Sequence, residues 1–522
     1  MNKSNRSTNK WLVAASVSIG AIMAAIDTSV LNVATPHLRG VFSATTSEIS
    51  WISTTYLLSV IITMPLAGWL CKKYDRKYVC ILGLLIFTFA SLLCGLAGTL
   101  PLLIAARLLQ GFGAGILLPV EQVVLRQTFP PHQIGLAMGI YGITVMIGPA
   151  IGPLLGGIAI DNYHWSFIFF INVPIGIIGL LLVNKFVSPV SVEEKKALEP
   201  SVKFSDWYGV LLLPCALFPL LILLERGERL DWFETQSNVV LLFISLASFM
   251  MFCAQELTVE KPAVDLRVLK TFAFSSAIFV SFLLGFVITG SLFVLPLYMQ
   301  EVLDYSATQA GKALIPRAIA MMISFPIVGL LFNKVSPRPL MFFGLCMGFY
   351  SAILMSNLTH ESGMLDVVFP QVVQGIAISF ILTPLSTVAL LHVTKDKVPA
   401  AAGLNAFSRQ LGGSLGIAVF ASLISYFELF VRGAYLHRFD WGLPLLRDRF
   451  SNVVQFFYYQ DAIAYSTALQ QGYTRLNGRL SGQISVVSYQ KIFEWLSVGF
   501  VLMFLFLILI KPVSTAKASS NE

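Results

Sequence analysis

The chain reads as an all-α polytopic membrane protein: fourteen transmembrane helices, arranged as two six-helix halves with a two-helix hairpin inserted between them. Three observations predict this. Of 522 residues, 56% are hydrophobic before the 38 glycines are added, whereas soluble domains reach about 45–50% with glycine included. Charged residues supply only 12%, about half of what a soluble chain carries to clothe its surface. Segments of the second half also echo the first in a constant order. The first two observations exclude an ordinary soluble enzyme, and the concentration of 40 Phe and long aliphatic runs excludes a disordered chain or a disulfide scaffold.

Apolar runs between charged or Pro/Gly breaks place the spans, in order, at 11–34, 50–70, 79–99, 101–125, 136–158, 165–184, 206–224, 238–255, 272–295, 311–332, 339–357, 364–392, 399–427 and 491–511. The first follows a basic start. Ala24 and Ala25 superficially resemble a signal-peptide cleavage region, but the run continues past Asp27 toward Pro36, which favours an uncleaved span. Spans two and three form a hairpin around Lys72, Lys73, Arg76 and Lys77; spans ten and eleven form one around Lys334 and Arg338. A polar stretch at 185–205 leads into the inserted spans seven and eight, and a 63-residue loop, 428–490, precedes the last span. The expected division is 1–190 for the first half, 191–260 for the linker and hairpin, and 261–522 for the second half.

The net charge of +8 would suggest nucleic acid in a soluble chain; here the placement of the charges speaks for no nucleic-acid partner. With the N-terminus inside, the inner segments hold 21 Lys and Arg and the short outer loops three. That bias puts both termini in the cytoplasm. The six Cys lie in or beside spans, so neither a disulfide framework nor a metal site is indicated.

The repeat has an offset of about 261 to 268 residues. "GWLCKKYDRK" from Gly68 resembles "GLLFNKVSPR" from Gly329; Gln110, Gly111 and Pro119 match Gln374, Gly375 and Pro384; "GLAM" at Gly135 matches "GLNA" at Gly403. Two halves related in this way place a substrate site between them near mid-membrane.

Charged side chains inside spans are costly and functional by default. They are Asp27, Arg107, Glu121, Lys312, Arg317 and Arg409. Asp27 lies about 13 Å from the outer end of its span and Arg107 about 9 Å, at 1.5 Å per residue, so the two can meet. Asp27 then reads either as a proton carrier whose affinity depends on Arg107 or as half of a fixed ion pair. Glu121, about 21 Å further along span four, is either a second protonation or cation site or a carboxylate reaching the inner interface. Lys312 is expected to snorkel. Arg317 lies deeper and is placed to meet an anionic substrate or a carboxylate, and Arg409 has either a gating or a carbonyl-binding role. Span five carries "GITVMIGPAIGPLLGG", with Gly148, Pro149, Gly152, Pro153, Gly156 and Gly157 forming a flat seam for a partner helix, bent by prolines. Asn32, Tyr56, Tyr141, Gln374, Asn405 and Phe407 are the remaining candidates to line a cavity, the aromatics giving broad apolar recognition.

The sequence holds neither GxxxxGK[ST] nor HExxH, and Gly111, Gly113 and Gly115 lie inside a span with no preceding strand. Energy is therefore expected from the proton motive force, with no cofactor.

"DTSVLNVATP" from Asp27, "RLLQGFGAG" from Arg107 and "GPAIGPLLGG" in span five resemble the major facilitator superfamily, specifically its fourteen-spanner drug:proton antiporters. "DNYHWSFIFFINVPIG" and "FSRQLGGSLG", with the long outer loop, narrow the likeness to EmrB-type exporters over nearly the whole chain. The resemblance implies the major facilitator fold and export of amphipathic compounds against inward proton flow across a bacterial inner membrane. It implies an essential acidic role for Asp27, a relay or gating role for Arg107 and a hinge at Gly148 and Pro149. It also implies a periplasmic adaptor (membrane fusion) protein and an outer-membrane channel as partners, with 428–490 as a contact for the adaptor. Two departures stand out. Lys72 and Asp75 replace the acid and the glycine usual in the inner hairpin, and Glu121 and Arg317 stand where small or apolar residues are usual. Two other readings stay open: a dedicated exporter of a metabolite such as a siderophore or fatty acid, and a non-transporting scaffold or sensor.

Overall fold

A computed structural model describes residues 9–509 apart from 190–205, 228–231, 261, 333, 392, 394–396, 439–443 and 461–463. The described spans, in order, are α1 (Lys10–Val41), α2 (Thr46–Tyr74), α3 (Arg76–Gly95), α4 (Leu100–Thr128), α5 (Ile134–Asn162), α6 (Phe167–Phe186), α7 (Trp207–Arg226) and α8 (Gln236–Thr258). They continue with α9 (Phe272–Glu301), α10 (Ala307–Leu331), α11 (Pro337–Ser356), α12 (Met364–Leu391), α13 (Val398–Arg438), α14 (Pro444–Gln460) and α15 (Tyr465–Leu509). Among the described residues thirteen helices are long and apolar enough to cross a membrane. The 29-residue α5, apolar over Ile134–Gly148, is the fourteenth.

The two halves pack by one pattern. In the first, α1 lies on α5 and α6, α2 on α4, and α3 on α4 and α6; in the second, α9 lies on α13 and α15, α10 on α12, and α11 on α12 and α15. Between halves α2 meets α13 and α5 meets α10, the arrangement a two-fold pseudo-axis requires. The local chemistry repeats as well. Thr45 and Glu48 form a capping box on α2, and Ser306 and Gln309, 261 residues on, form one on α10. Pro65 and Pro326 interrupt the same two helices at the same register, and each removes a backbone donor. The inserted α7 and α8 pack on each other, with α7 against α2 and α13.

Close approach of backbones sets this packing. A Cβ on Gly111 would lie 2.5 Å from the Tyr56 carbonyl oxygen, and one on Gly375 would lie 2.5 Å from that of Arg317. Only glycine fits either place. At the end of the bundle that carries the basic hairpins, the halves are in backbone contact. A Cβ on Gly68 would meet Pro399 and Ala400 of α13, and Gly135 of α5 lies against Gly329 of α10. In the first hairpin Asp75 takes φ 72°, the left-handed backbone that favours glycine, and its carboxylate accepts the Lys77 N–H at 3.0 Å.

The loop expected at 428–490 is largely helical. At 1.5 Å per residue the 41-residue α13 is about 60 Å long and the 45-residue α15 nearly 70 Å, roughly twice the hydrocarbon core. Both are long enough to extend beyond it, α14 packs on α15, and the helix that carries the last span begins at Tyr465. Polar residues misled the hydropathy reading, since a helix leaving the bilayer keeps its backbone bonds while its side chains turn hydrophilic. Of the linker expected at 185–205, residues 190–205 lie outside the described residues, and 185–186 still belong to α6.

Gly111→Ala is expected to lower the thermal unfolding midpoint of the detergent-purified protein by overpacking worth about 1–3 kcal/mol. Gly433→Ala, with open space around its Cβ, leaves the midpoint unchanged or raises it.

Candidate functional site

Arg107 and Gln110, three residues apart, share one face of α4, and that face points at α1. The result is a buried polar cluster. Arg107 Nη1 donates to Asp27 Oδ2 at 2.5 Å and to Gln110 Oε1 at 2.6 Å. Gln110 Nε2 donates to Asp27 Oδ1 at 2.9 Å and to Ser91 Oγ at 2.8 Å, while Asn172 Nδ2 of α6 reaches Oδ1 at 2.8 Å. Arg107 Nε donates to the Ile52 carbonyl at 3.3 Å, and the Tyr56 ring lies beneath the guanidinium, 4.0 Å from its carbon. Both charged side chains are 1% exposed. Four helices besides α4 hold this pair, so neither partner can leave without breaking several bonds. The arrangement gives the carboxylate a full set of donors and makes any change in its charge felt by α2, α3, α4 and α6 together.

Glu121 forms a second centre. It is buried rather than interfacial, and its Oε1 accepts from Ser18 Oγ at 2.7 Å and Thr144 Oγ1 at 2.9 Å. Among the described residues its Oε2 has no donor, and neither amide atom of the buried Gln122 has a partner. No Lys or Arg lies within ion-pair distance of Glu121 among the described residues. One turn before Thr144, on the same helix, Tyr141 accepts a hydrogen bond from Arg409 Nη2 of α13, and the guanidinium lies 5.5 Å from the ring centre. This bond joins the halves.

In the second half, Arg317 Nη1 donates to Ser291 Oγ at 3.5 Å, and Ser291 donates to Gln374 Oε1 at 3.0 Å. Asn405 accepts from Ser281 Oγ at 2.6 Å. Lys312 is exposed, as a snorkelling lysine would be. Phe407 is half-buried and packs against the main apolar cluster. Tyr56 and Tyr141, expected as cavity walls, are both buried and each faces a guanidinium in this conformation.

The span-five seam lies on α1. Cβ atoms added at Gly148 and Gly152 would collide with Ala25 and Ser29, the residues two before and two after Asp27. Gly156, one turn on, is buried. The side chains of Asn32, Pro149 and Pro153 lie outside the described residues. Sequence reasoning missed Ser91, Asn172, Ser18 and Thr144, since neutral polar residues in spans are common. The signal that could have revealed Gln110 as a ligand was its repetition as Gln374.

Two equivalent helical halves around buried charges define a membrane transporter rather than an enzyme. The sequence profile of the Major Facilitator Superfamily matches residues 17–417, and the chain belongs to that family. The multidrug export protein EmrB of Escherichia coli (strain K12) is 32% identical over 406 residues, 77% of this chain and 78% of that protein. The fatty acid resistance protein FarB of Neisseria gonorrhoeae is 32% identical over 411 residues, 79% of this chain and 80% of that protein. The fold is shared with the crystal structure of the human organic anion transporter MFSD10, at TM-score 0.63 and 13% identity over 95% of this chain and 99% of that one.

Arg107→Gln strands the Asp27 charge and is expected to cost about 3–5 kcal/mol of stability. Adding Asp27→Asn should recover most of it, measured as unfolding midpoints of the three variants in detergent.

Proposed function

We propose that the protein is a proton-coupled antiporter that exports amphipathic organic compounds across the inner membrane of a bacterium. The observation that carries this reading is the buried Asp27–Arg107 pair, bracketed by the glycine seam of α5. The Lys and Arg bias makes the hairpin end cytoplasmic, with both termini inside. The backbone contacts at Gly68 and Gly135 then close the cytoplasmic end, leaving the halves free to part on the outer side, from which protons arrive.

A proton reaching Asp27 removes the charge that Arg107 neutralises. Arg107 must then find another acceptor, and α1 is free to slide along the flat face of α5, which has no side chains at Gly148 and Gly152 to lock it. The Tyr141–Arg409 bond and the cytoplasmic contacts are the ones that break when the halves rock. Glu121, with a free oxygen and no cation beside it, is the second place for a proton or for a cationic group of the substrate. Asn32, Tyr56, Tyr141, Gln374, Asn405 and Phe407 line the path once it opens. A membrane potential of 100 mV supplies about 2.3 kcal/mol per charge, enough for roughly a fifty-fold gradient without ATP or any cofactor.

The relatives named for multidrug export and fatty acid resistance support export of apolar compounds. The boundaries 1–190, 191–260 and 261–522 divide the chain into rocking halves and an inserted hairpin. The helical projection formed by α13, α14 and α15 is the place for a periplasmic adaptor leading to an outer-membrane channel. A dedicated exporter of one fatty acid-like metabolite would use the same machinery.

In inside-out vesicles energised by respiration, lipophilic cations should release protons through the wild type and not through Asp27→Asn. Proton-driven efflux that survives Asp27→Asn at normal expression would sink the carrier role. Glu121→Gln should reduce transport of cationic compounds at least several-fold more than that of neutral ones, and an unchanged profile would leave Glu121 with a structural role alone.

A further inference from the structure

The repeat that builds the two halves also aligns their polar centres. At offset 264, Asp27 of α1 corresponds to Ser291 of α9, Arg107 to Gln371 of α12, and Gln110 to Gln374. At offset 261, Tyr56 of α2 corresponds to Arg317 of α10, and Ile52 to Ala313. Contacts bear out the alignment. Arg107 Nε donates to the Ile52 carbonyl at 3.3 Å, and Gln371 Nε2 donates to the Ala313 carbonyl at 3.0 Å. Gln110 is bonded to Asp27, and Gln374 to Ser291. Gly111 approaches the Tyr56 backbone as Gly375 approaches that of Arg317.

One component differs. The first half has a guanidinium, an amide and the carboxylate they hold; the second has a guanidinium and an amide, with a serine where the carboxylate stood. Arg317 is 3% exposed, and among the described residues its hydrogen bond is a long one to Ser291. Arg317 Nη2 and Gln374 Nε2 both lack a protein acceptor, and both side chains converge on Ser291 Oγ. The described carboxylates on helices packed against α10 are engaged elsewhere. Glu301 accepts from Tyr489 at 2.5 Å and Asp366 from the Gly363 N–H at 2.8 Å. A buried guanidinium at membrane depth needs an anion, and none is offered here among the described residues.

We propose that Arg317 and Gln374 form a binding site for the carboxylate of an amphipathic organic acid, the ligand supplying the group that Asp27 supplies in the other half. A guanidinium and a primary amide joined through one hydroxyl match two carboxylate oxygens. The proposal rests on the reading of the protein as an exporter and names its substrate class.

The test is binding of three probes of equal chain length, octanoate, octanol and octyltrimethylammonium, to the full-length protein in neutral-lipid nanodiscs. The wild type should bind octanoate about tenfold tighter than octanol, and Arg317→Gln should erase that preference while binding octanol as before. Gln374→Ala should reduce it in part, and Arg317→Lys should keep some of it. Equal affinity of the wild type for octanoate and octanol, or an undiminished preference in Arg317→Gln, would overturn the proposal. Proton release by octyltrimethylammonium in vesicles reads the antiporter separately. Absence of that proton coupling in the wild type with the octanoate preference retained would reject antiport and leave the carboxylate site standing.

Discussion

A charge placed in the middle of a bilayer has no water to turn to, and the protein must supply a partner from another helix. Asp27 and Arg107 meet that constraint at a cost of at least about 2.5 kcal/mol each for insertion, offset by the ion pair and a shell of neutral donors. Much of the first half follows from keeping this pair dry. Gln110, Asn172 and Ser91 complete the bonds of the carboxylate and its neighbour, Tyr56 covers the guanidinium, and the Ile52 carbonyl anchors it to α2. Bonds from α4 and α6 end at the carboxylate, and their donors are held in turn by α2 and α3, so its charge is a property of the whole half.

Duplication gave the second half the same frame with different chemistry. The capping boxes, the prolines of α2 and α10 and the glycine contacts at 111 and 375 repeat because they set backbone geometry. The functional positions diverge. Where the first half has Asp27 and Arg107, the second has Ser291 and Gln371, a neutral solution to the same packing. A lone arginine then stands in place of Tyr56. On the proposed reading one half holds a proton and the other a ligand, and the Tyr141–Arg409 bond crosses between them.

Most of the architecture was legible in the sequence because the bilayer imposes length and apolarity on every span, and because the basic hairpins recur at a fixed offset. Asp27 and Arg107 were legible for the opposite reason, as rare charges at matched depths. Three things were not. The helices through 428–490 were hidden by their polar surface, since hydropathy reads the solvent and not the backbone. The burial of Glu121 was hidden because a carboxylate near a span end reads the same whether it faces water or a neighbour's hydroxyl, and here Ser18 and Thr144 decide. Asn172 was legible only as part of the motif from Asp161 and not as a ligand, because its partner lies 145 positions away in the chain.

The central claim is that the charge state of Asp27 sets which side of the protein is open, and the most direct measurement is a distance between the halves at the hairpin end. Spin labels at Tyr78 and Phe342, both exposed near the starts of α3 and α11, would be placed in a variant lacking the native cysteines and read by pulsed electron–electron resonance at pH 8 and pH 5. The distance should be short at pH 8, with the pair intact, and lengthen at pH 5; Asp27→Asn should give the long distance at both. A wild-type distance that ignores pH, or an Asp27→Asn variant that follows pH as the wild type does, would contradict the claim.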